Sequence, residues 1–281
     1  MNTQQINQLK QDYQHADFRY DIQYTLFQVK DDGVTITAYQ SGKVVFAGKN
    51  ASMHAAKYGV KTDPIKPTLA TFPMSGSDEV GTGDYFGPVT VCACYVTKEN
   101  LKEIPVDLIT DSKAMTDDLI IEIAPLLMQK LEHSLLILDN YKYNEIQKTN
   151  NLNEIKAKLH NQAFINLNNK VDLSASTNII DQFVNEKKYF EYIKNEPAIF
   201  KALRFETKAE HQFIAVACGA IIARYAFLYS FMDLEKKYNF KFPKGSGKQV
   251  NVAAKKFIDL YGKDELVHVA KIHFKITDTL L

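Results

Sequence analysis

PMSGSDEVGTGDYFGPVTVCACYV, residues 73–96, places a first run, MSGSDEV, and an apolar, β-rich one, VTVCACYV, on either side of a glycine turn, which reads as a strand and its partner joined by that turn. Alternating strand and helix signals continue from there to residue 281, which predicts an α/β domain around a central sheet. A helix is expected from Asp117, with Thr116 as its cap and Pro125 set to kink or break it. Further helices are expected over 152–171 and in EKKYFEYIK after the strand run 176–184, which ends near Asp181. KAEHQFIAVACGAIIARYAFLYSFMDLEKK, 208–237, is apolar on nearly all sides through Ile222, as a buried central helix should be, and Glu210 falls in its first turn.

Upstream the texture differs. Residues 1–14 give a modest helix signal, and YTLFQVKDDGVTITAYQSGKVVFAGKN, 24–50, reads as a three-stranded antiparallel meander followed by a short helix to about Lys57. Through residue 72 this part carries eight basic residues against six acidic ones, so it is a small, mildly basic module. GVKTDPIKPTLATFP, 59–73, has three prolines and no apolar period, so it reads as a linker. The expected organisation is an N-terminal domain at 1–60, a linker at 61–72 and a second domain at 73–281. Tyr24, Phe27, Tyr39 and Phe46 are expected mostly in the core of the small module.

With 34 Lys and Arg against 33 Asp and Glu, the net charge is +1, and no global field argues for a nucleic-acid or membrane partner. Locally, ten lysines against four acids follow residue 235, a basic patch that the total conceals. No apolar run reaches the ~20 residues of a membrane span, and the start MNTQQINQLKQ has no signal-like region, so a cytoplasmic protein is expected. Cys92, Cys94 and Cys218 lack metal-site spacing and read as reduced core residues.

Asp78 and Glu79 are adjacent carboxylates before the glycine turn. Adjacent strand residues point to opposite faces, so both serve one site only if the chain bends, and Gly81 and Gly83 supply the bend. The same segment also reads as a solvated acidic turn. Asp181, interrupting the apolar run 179–184, reads alternatively as a strand-end cap, and Glu210 as a helix-dipole partner. His133, His268 and His273 read better as solvated or hydrogen-bonded histidines than as general acids.

Taken together, five segments carry a resemblance: SDEVGTGDYFGP, DSKAMTD (111–117), IIDQFVNEKKYF (179–190), TKAEHQFIAVACGAIIARYAFL (207–228) and FPKGSGKQV (242–250). Their order and spacing resemble the type 2 and type 3 ribonucleases H, the type 3 members above all, over nearly the whole chain. The resemblance implies a ribonuclease H-like catalytic domain, with a mixed central sheet flanked by helices. It also implies a small N-terminal α+β domain similar to one repeat of the TATA-binding protein. It further implies that Asp78, Glu79, Asp181 and Glu210 form an acidic catalytic quartet holding two Mg²⁺ or Mn²⁺ ions. Gly81, Thr82 and Gly83 would read the ribose 2′-hydroxyl, with Thr82 where type 2 enzymes have a basic residue. Lys113 and Arg224 would lie near substrate phosphates, and Lys244, in the loop 243–247, would be a further substrate-binding residue. Ser246 stands where type 2 relatives place a tyrosine that stacks at an RNA–DNA junction. At Cys218-Gly219-Ala220 the family usually shows Ala-Ala-Ser, a departure that bears on helix packing alone.

The chemistry agrees with that resemblance. Phosphodiester hydrolysis needs a hydroxide near neutral pH and neutralisation of the charge on the leaving oxygen, which two hard cations supply. Carboxylates suit Mg²⁺ or Mn²⁺, and the 2′-hydroxyl is the sugar group that separates RNA from DNA. The expected activity is cleavage of the RNA strand of an RNA/DNA hybrid, leaving 5′-phosphate and 3′-hydroxyl ends and acting poorly on single embedded ribonucleotides. The alternatives are a non-catalytic hybrid-binding protein and a metal-dependent DNA nuclease on the same fold. No protein partner is implied.

Overall fold

Asn2 starts the first helix: its side chain accepts from Gln5 N while the Gln5 side chain accepts from Asn2 N, both at 2.9 Å, a reciprocal cap. A computed structural model describes residues 1–31, 33–48, 51–58, 72–109 and 115–280. The chain divides into two compact units, Met1–Pro64 and Ile65–Leu281. The expected linker at 61–72 lies, Phe72 apart, outside the described residues.

In the first unit, α1 (Thr3–Asp12) precedes β1 (Asp17–Arg19), β2 (Thr25–Asp31), β3 (Val34–Tyr39) and β4 (Val44–Gly48), and α2 (Ala51–Ala56) follows. The strands form an antiparallel sheet in the order β1-β2-β3-β4, so the expected meander gains a fourth strand. Three residues, DFR, are too few to show alternation in sequence. One sheet face, with Phe27, Val29, Val34, Ile36 and Ala38, packs on Ile6 and Leu9 of α1. Phe46 packs beside that core, but Tyr24, against expectation, is 69% exposed.

The second unit begins with β5 (Met74–Val80) and β6 (Val89–Val96), paired antiparallel as the sequence predicts. Then come α3 (Val106–Ile109), α4 (Asp117–Lys130), β7 (His133–Leu138), α5 (Asn140–Gln147), α6 (Leu152–Asn168), β8 (Thr177–Asp181), α7 (Glu186–Tyr192) and β9 (Arg204–Glu206). The chain closes with α8 (Ile214–Tyr238), α9 (Lys248–Tyr261) and α10 (Lys275–Asp278). The sheet order is β7-β6-β5-β8-β9, mixed, with β5, β8 and β9 parallel. Pro125 does not break α4: it sits on the exposed face, where water can take the carbonyl left without a donor.

α8 lies across β5 and β6 on one face of the sheet, and α6 covers the other. Small residues set that approach. A Cβ on Gly76 would sit 2.5 Å from the Val216 backbone nitrogen, and one on Gly219 would sit 2.7 Å from the Cys92 carbonyl oxygen. The glycine of Cys218-Gly219-Ala220 is thus what lets helix and sheet backbones meet. Cys92, Cys94 and Cys218 are free and buried at this contact. α8 is long and apolar enough to cross a membrane, with a mean hydropathy of 1.7 in its best window, yet 72% of that window is buried within the protein, as a core helix is.

Candidate active site

Ser77 pairs with Ile180 in parallel register, so Asp78 and Asp181 are the next residues along neighbouring strands, Asp181 at the end of β8 and Asp78 two residues before the end of β5. Glu210 arrives from a separate element. It does not lie in the first turn of α8: Lys208 takes a left-handed conformation (φ 54°) and Phe213 an extended one, which isolates a single 3₁₀ turn, Ala209–His211, ahead of the helix. Asp181 Oδ1 accepts from Ala209 N at 2.8 Å, which fixes that turn against the strand end. Glu210 is 2% exposed.

No bend separates Asp78 from Glu79, because β5 stays paired with β6 through Val80 and Thr90. Their side chains leave the strand on opposite faces, and both line one cleft, where the pairing of β5 with β8 has stopped at Ser77. Asp78, Glu79, Val80, Ile120, Glu210 and Arg224 line this space of about 200 Å³. Burial raises the Asp78 carboxyl well above the usual carboxylate range, and the negative charges of Glu79, Asp181 and Glu210 raise it further, against one hydrogen bond from Glu79 N. Burial would raise Glu79 as well, but the hydrogen bond and charge of His160 and then Lys156 pull it below that range. Glu79 Oε1 lies 2.5 Å from Lys156 Nζ, and Oε2 accepts from His160 Nε2 at 2.9 Å.

Among the described residues, no three His, Cys, Asp or Glu side chains are grouped so that they could hold a metal ion as they stand. Each of three acids has a neighbour of its own: Asp78 the Glu79 amide, Glu79 the α6 pair, Asp181 the Ala209 amide. The donor set consists of carboxylate oxygens, the chemistry that hard divalent cations take.

The glycine turn stands beside this cleft. Gly81 has φ 93°, and a Cβ there would meet the Pro88 carbonyl oxygen at 2.2 Å, so only glycine fits. Thr82 is half-buried, and Gly83 is exposed with open space around it. Tyr85 N donates to Gly245 O at 2.9 Å and Gly245 N donates to Asp84 Oδ1 at 2.5 Å, which ties the turn to the loop bearing Lys244 and Ser246. Ser246 is exposed. Lys244 Nζ and Arg224 converge on one carboxylate, Asp117, at 2.5 and 2.7 Å. Burial raises the Asp117 carboxyl, and these two cations bring it below its ordinary value. Lys113 lies outside the described residues.

His133, His268 and His273 are not among the residues lining the cleft. Lys156 and His160 are the residues that sequence reasoning missed; four apart in a helix, they carry no signal beyond that of a polar helix face. Lys271, also missed, is fully buried, and its Nζ donates to Asp84 O at 2.8 Å and Gly87 O at 2.5 Å, bracing the glycine turn. Burial pushes its pKa down to about 7.

The family model for Ribonuclease HII matches residues 75–277, and one for a domain of unknown function matches residues 1–67. Ribonuclease HIII of Geobacillus sp. (strain WCH70) is 42% identical, over 90% of this chain and 87% of that protein. Ribonuclease HIII of Bacillus anthracis is 38% identical over 99% of this chain and 95% of that one. The crystal structure of Bst-RNase HIII in complex with Mn²⁺ superposes with a TM-score of 0.73 at 34% identity, covering 99% of this chain and 96% of that one.

Proposed function

The chain belongs to the ribonuclease HII family, among its ribonuclease HIII members, and from that premise we propose that it is an endonuclease cleaving the RNA strand of RNA/DNA hybrids. In this reading Asp78, Glu79, Asp181 and Glu210 hold Mg²⁺ or Mn²⁺, and the products carry 5′-phosphate and 3′-hydroxyl ends. One observation carries it: Asp78 is driven toward its neutral form by burial and by the charges of three other acids. Such a cluster, buried at a strand end, is costly unless cations arrive to share its charge. Bound divalent ions would supply a hydroxide near neutral pH and neutralise charge on the leaving oxygen. The Mn²⁺ seen with Bst-RNase HIII agrees with the oxygen donors here.

The chain's own groups do the rest. Asp181 and the Ala209 amide set Glu210 at the cleft. Gly81-Thr82-Gly83 offers backbone to a 2′-hydroxyl, since Gly83 is exposed and nothing crowds it. Arg224 and Lys244, paired on Asp117 without substrate, would exchange that carboxylate for phosphate oxygens. The first unit is read as a substrate-binding platform: the sheet face away from its core presents Leu26, Gln28, Lys30 and Thr35. The reading is of a cytoplasmic enzyme that requires neither membrane nor protein partner.

Labelled RNA, DNA and hybrid duplexes, incubated with Mg²⁺ or Mn²⁺, test this against its rivals. Hybrid-specific scission in the RNA strand, lost in Glu210→Gln with little change in stability, is the expected result. Binding without scission would make the protein a non-catalytic hybrid binder, and cleavage of DNA duplex would make it a DNA nuclease. If Glu210 served only the packing of its turn, the variant would lose stability and keep its activity.

A further inference from the structure

Glu79 is held in a way that stability alone does not explain. Lys156 and His160 lie one turn apart on α6, 8% and 0% exposed, and each takes a different oxygen of the same carboxylate. A carboxylate only accepts, so His160 Nε2 donates. The other ring nitrogen, Nδ1, bonds Ser77 Oγ at 2.8 Å, and Ser77 shares the strand face of Glu79, so both ends of the imidazole are fixed by β5. Phe183, two residues past Asp181, lies beneath both side chains: Lys156 Nζ is 4.0 Å from its ring centroid, and the His160 ring stacks on it at 5.5 Å. The arrangement thus links Glu79, helix α6 and the chain that leaves Asp181.

Burying an ammonium against a carboxylate brings little net stability, because desolvation offsets the attraction. What the pair does achieve is a single orientation for Glu79. Each oxygen accepts one bond from α6 and has a second lone pair left for a cation. Building on the four-acid reading above, we propose that Lys156 and His160 are positioning residues that clamp Glu79 so its carboxylate meets the divalent ions in one fixed pose.

The test uses the full chain. Mn²⁺ binding is measured by calorimetry, and kcat and KM are measured on an RNA/DNA hybrid. Partners of metal-ligating groups typically contribute 10- to 100-fold to metal affinity or activity, so Lys156→Met should weaken Mn²⁺ binding by about 10-fold or more. Its kcat should fall while KM for hybrid stays within about twofold. Lys156→Arg, which restores a cation, should recover most of the Mn²⁺ affinity. His160→Gln, which keeps one donor, should lose less than Lys156→Met and serves as the decisive variant if Lys156→Met does not fold. Unchanged Mn²⁺ affinity with only a lower unfolding temperature would reduce the pair to a structural brace and overturn the clamp. Tighter Mn²⁺ binding by Lys156→Met would make Lys156 a competitor of the metal and overturn it equally. Wild-type protein that binds no Mn²⁺ would remove the four-acid site itself, and the clamp with it.

Discussion

Lys271→Met isolates the buried amine that braces the glycine turn. In the folded protein its pKa is about 7 against an ordinary 10.5, so the folded state releases a proton that the unfolded chain keeps until higher pH. Between those values the unfolded state binds more protons, and wild-type stability rises with pH by at most ~1.4 kcal/mol per unit. At pH 7 about half the amines are already neutral, so the gain from pH 7 to pH 9 integrates to about 2 kcal/mol. Methionine keeps the apolar stem and abolishes this titration, but it removes the donor to Asp84 O; Gly87 O still accepts from Asn140 Nδ2 at 2.9 Å. One buried carbonyl left without its partner costs about 1–3 kcal/mol. The variant should therefore be about 1–3 kcal/mol less stable than wild type at pH 9, with a gap about 2 kcal/mol smaller, close to nil, at pH 7. Urea unfolding followed by circular dichroism at the two pH values measures this, and the double difference cancels the shared titrating groups that do not feel Lys271; His273, whose pKa burial and then the Lys271 charge lower, is removed by making both proteins in a His273→Gln background. A gap independent of pH would refute a buried, depressed lysine at this position.

Asp78 has the opposite sign. Its folded pKa lies above its unfolded one, so the stability it contributes is present at low pH and lost as pH rises through the raised value. Metal-free protein should lose stability over that window, Mn²⁺ should restore it, and Asp78→Asn should flatten the loss; identical pH curves for the two would remove Asp78 from the cluster. Deleting residues 1–70 should leave a folded nuclease with weaker hybrid affinity and a shallower salt dependence, and an unchanged salt slope would mean that the first unit binds something else. A duplex with one embedded ribonucleotide should be cut far less well in Mg²⁺ than one with four, because Ser246 offers no ring where aromatic stacking is worth roughly 1 to 3 kcal/mol. Equal cleavage of the two would show that junction recognition does not depend on such a ring.

The meander, the strand pair at the glycine turn and the long apolar helix were legible in the chain because each rests on local pattern: period, turn chemistry and caps. The short or partly polar β1, β7 and β9 carried no such pattern. The four acids of the proposed site stood out only through their joint order, since each alone had an ordinary structural reading. Local pattern failed where a single residue changed the backbone path. Lys208 in the left-handed region detaches Glu210 from the helix that the apolar run predicted, and the Ala209 amide it exposes is what Asp181 takes.

What tertiary structure alone decided is where the charges went. Ten lysines after residue 235 read as one basic patch, yet Lys271 is buried under the glycine turn and Lys244 is paired with Asp117, while Lys241 is 90% exposed at its side chain. Lys156 and His160 have the spacing of any solvated helix face, and they meet Glu79 because α6 packs on β5 across a sequence separation of about eighty residues. Composition and period measure what a segment prefers by itself. Whether a lysine faces water, a phosphate or a buried carboxylate depends on which distant segment closes over it, a property of the packed fold.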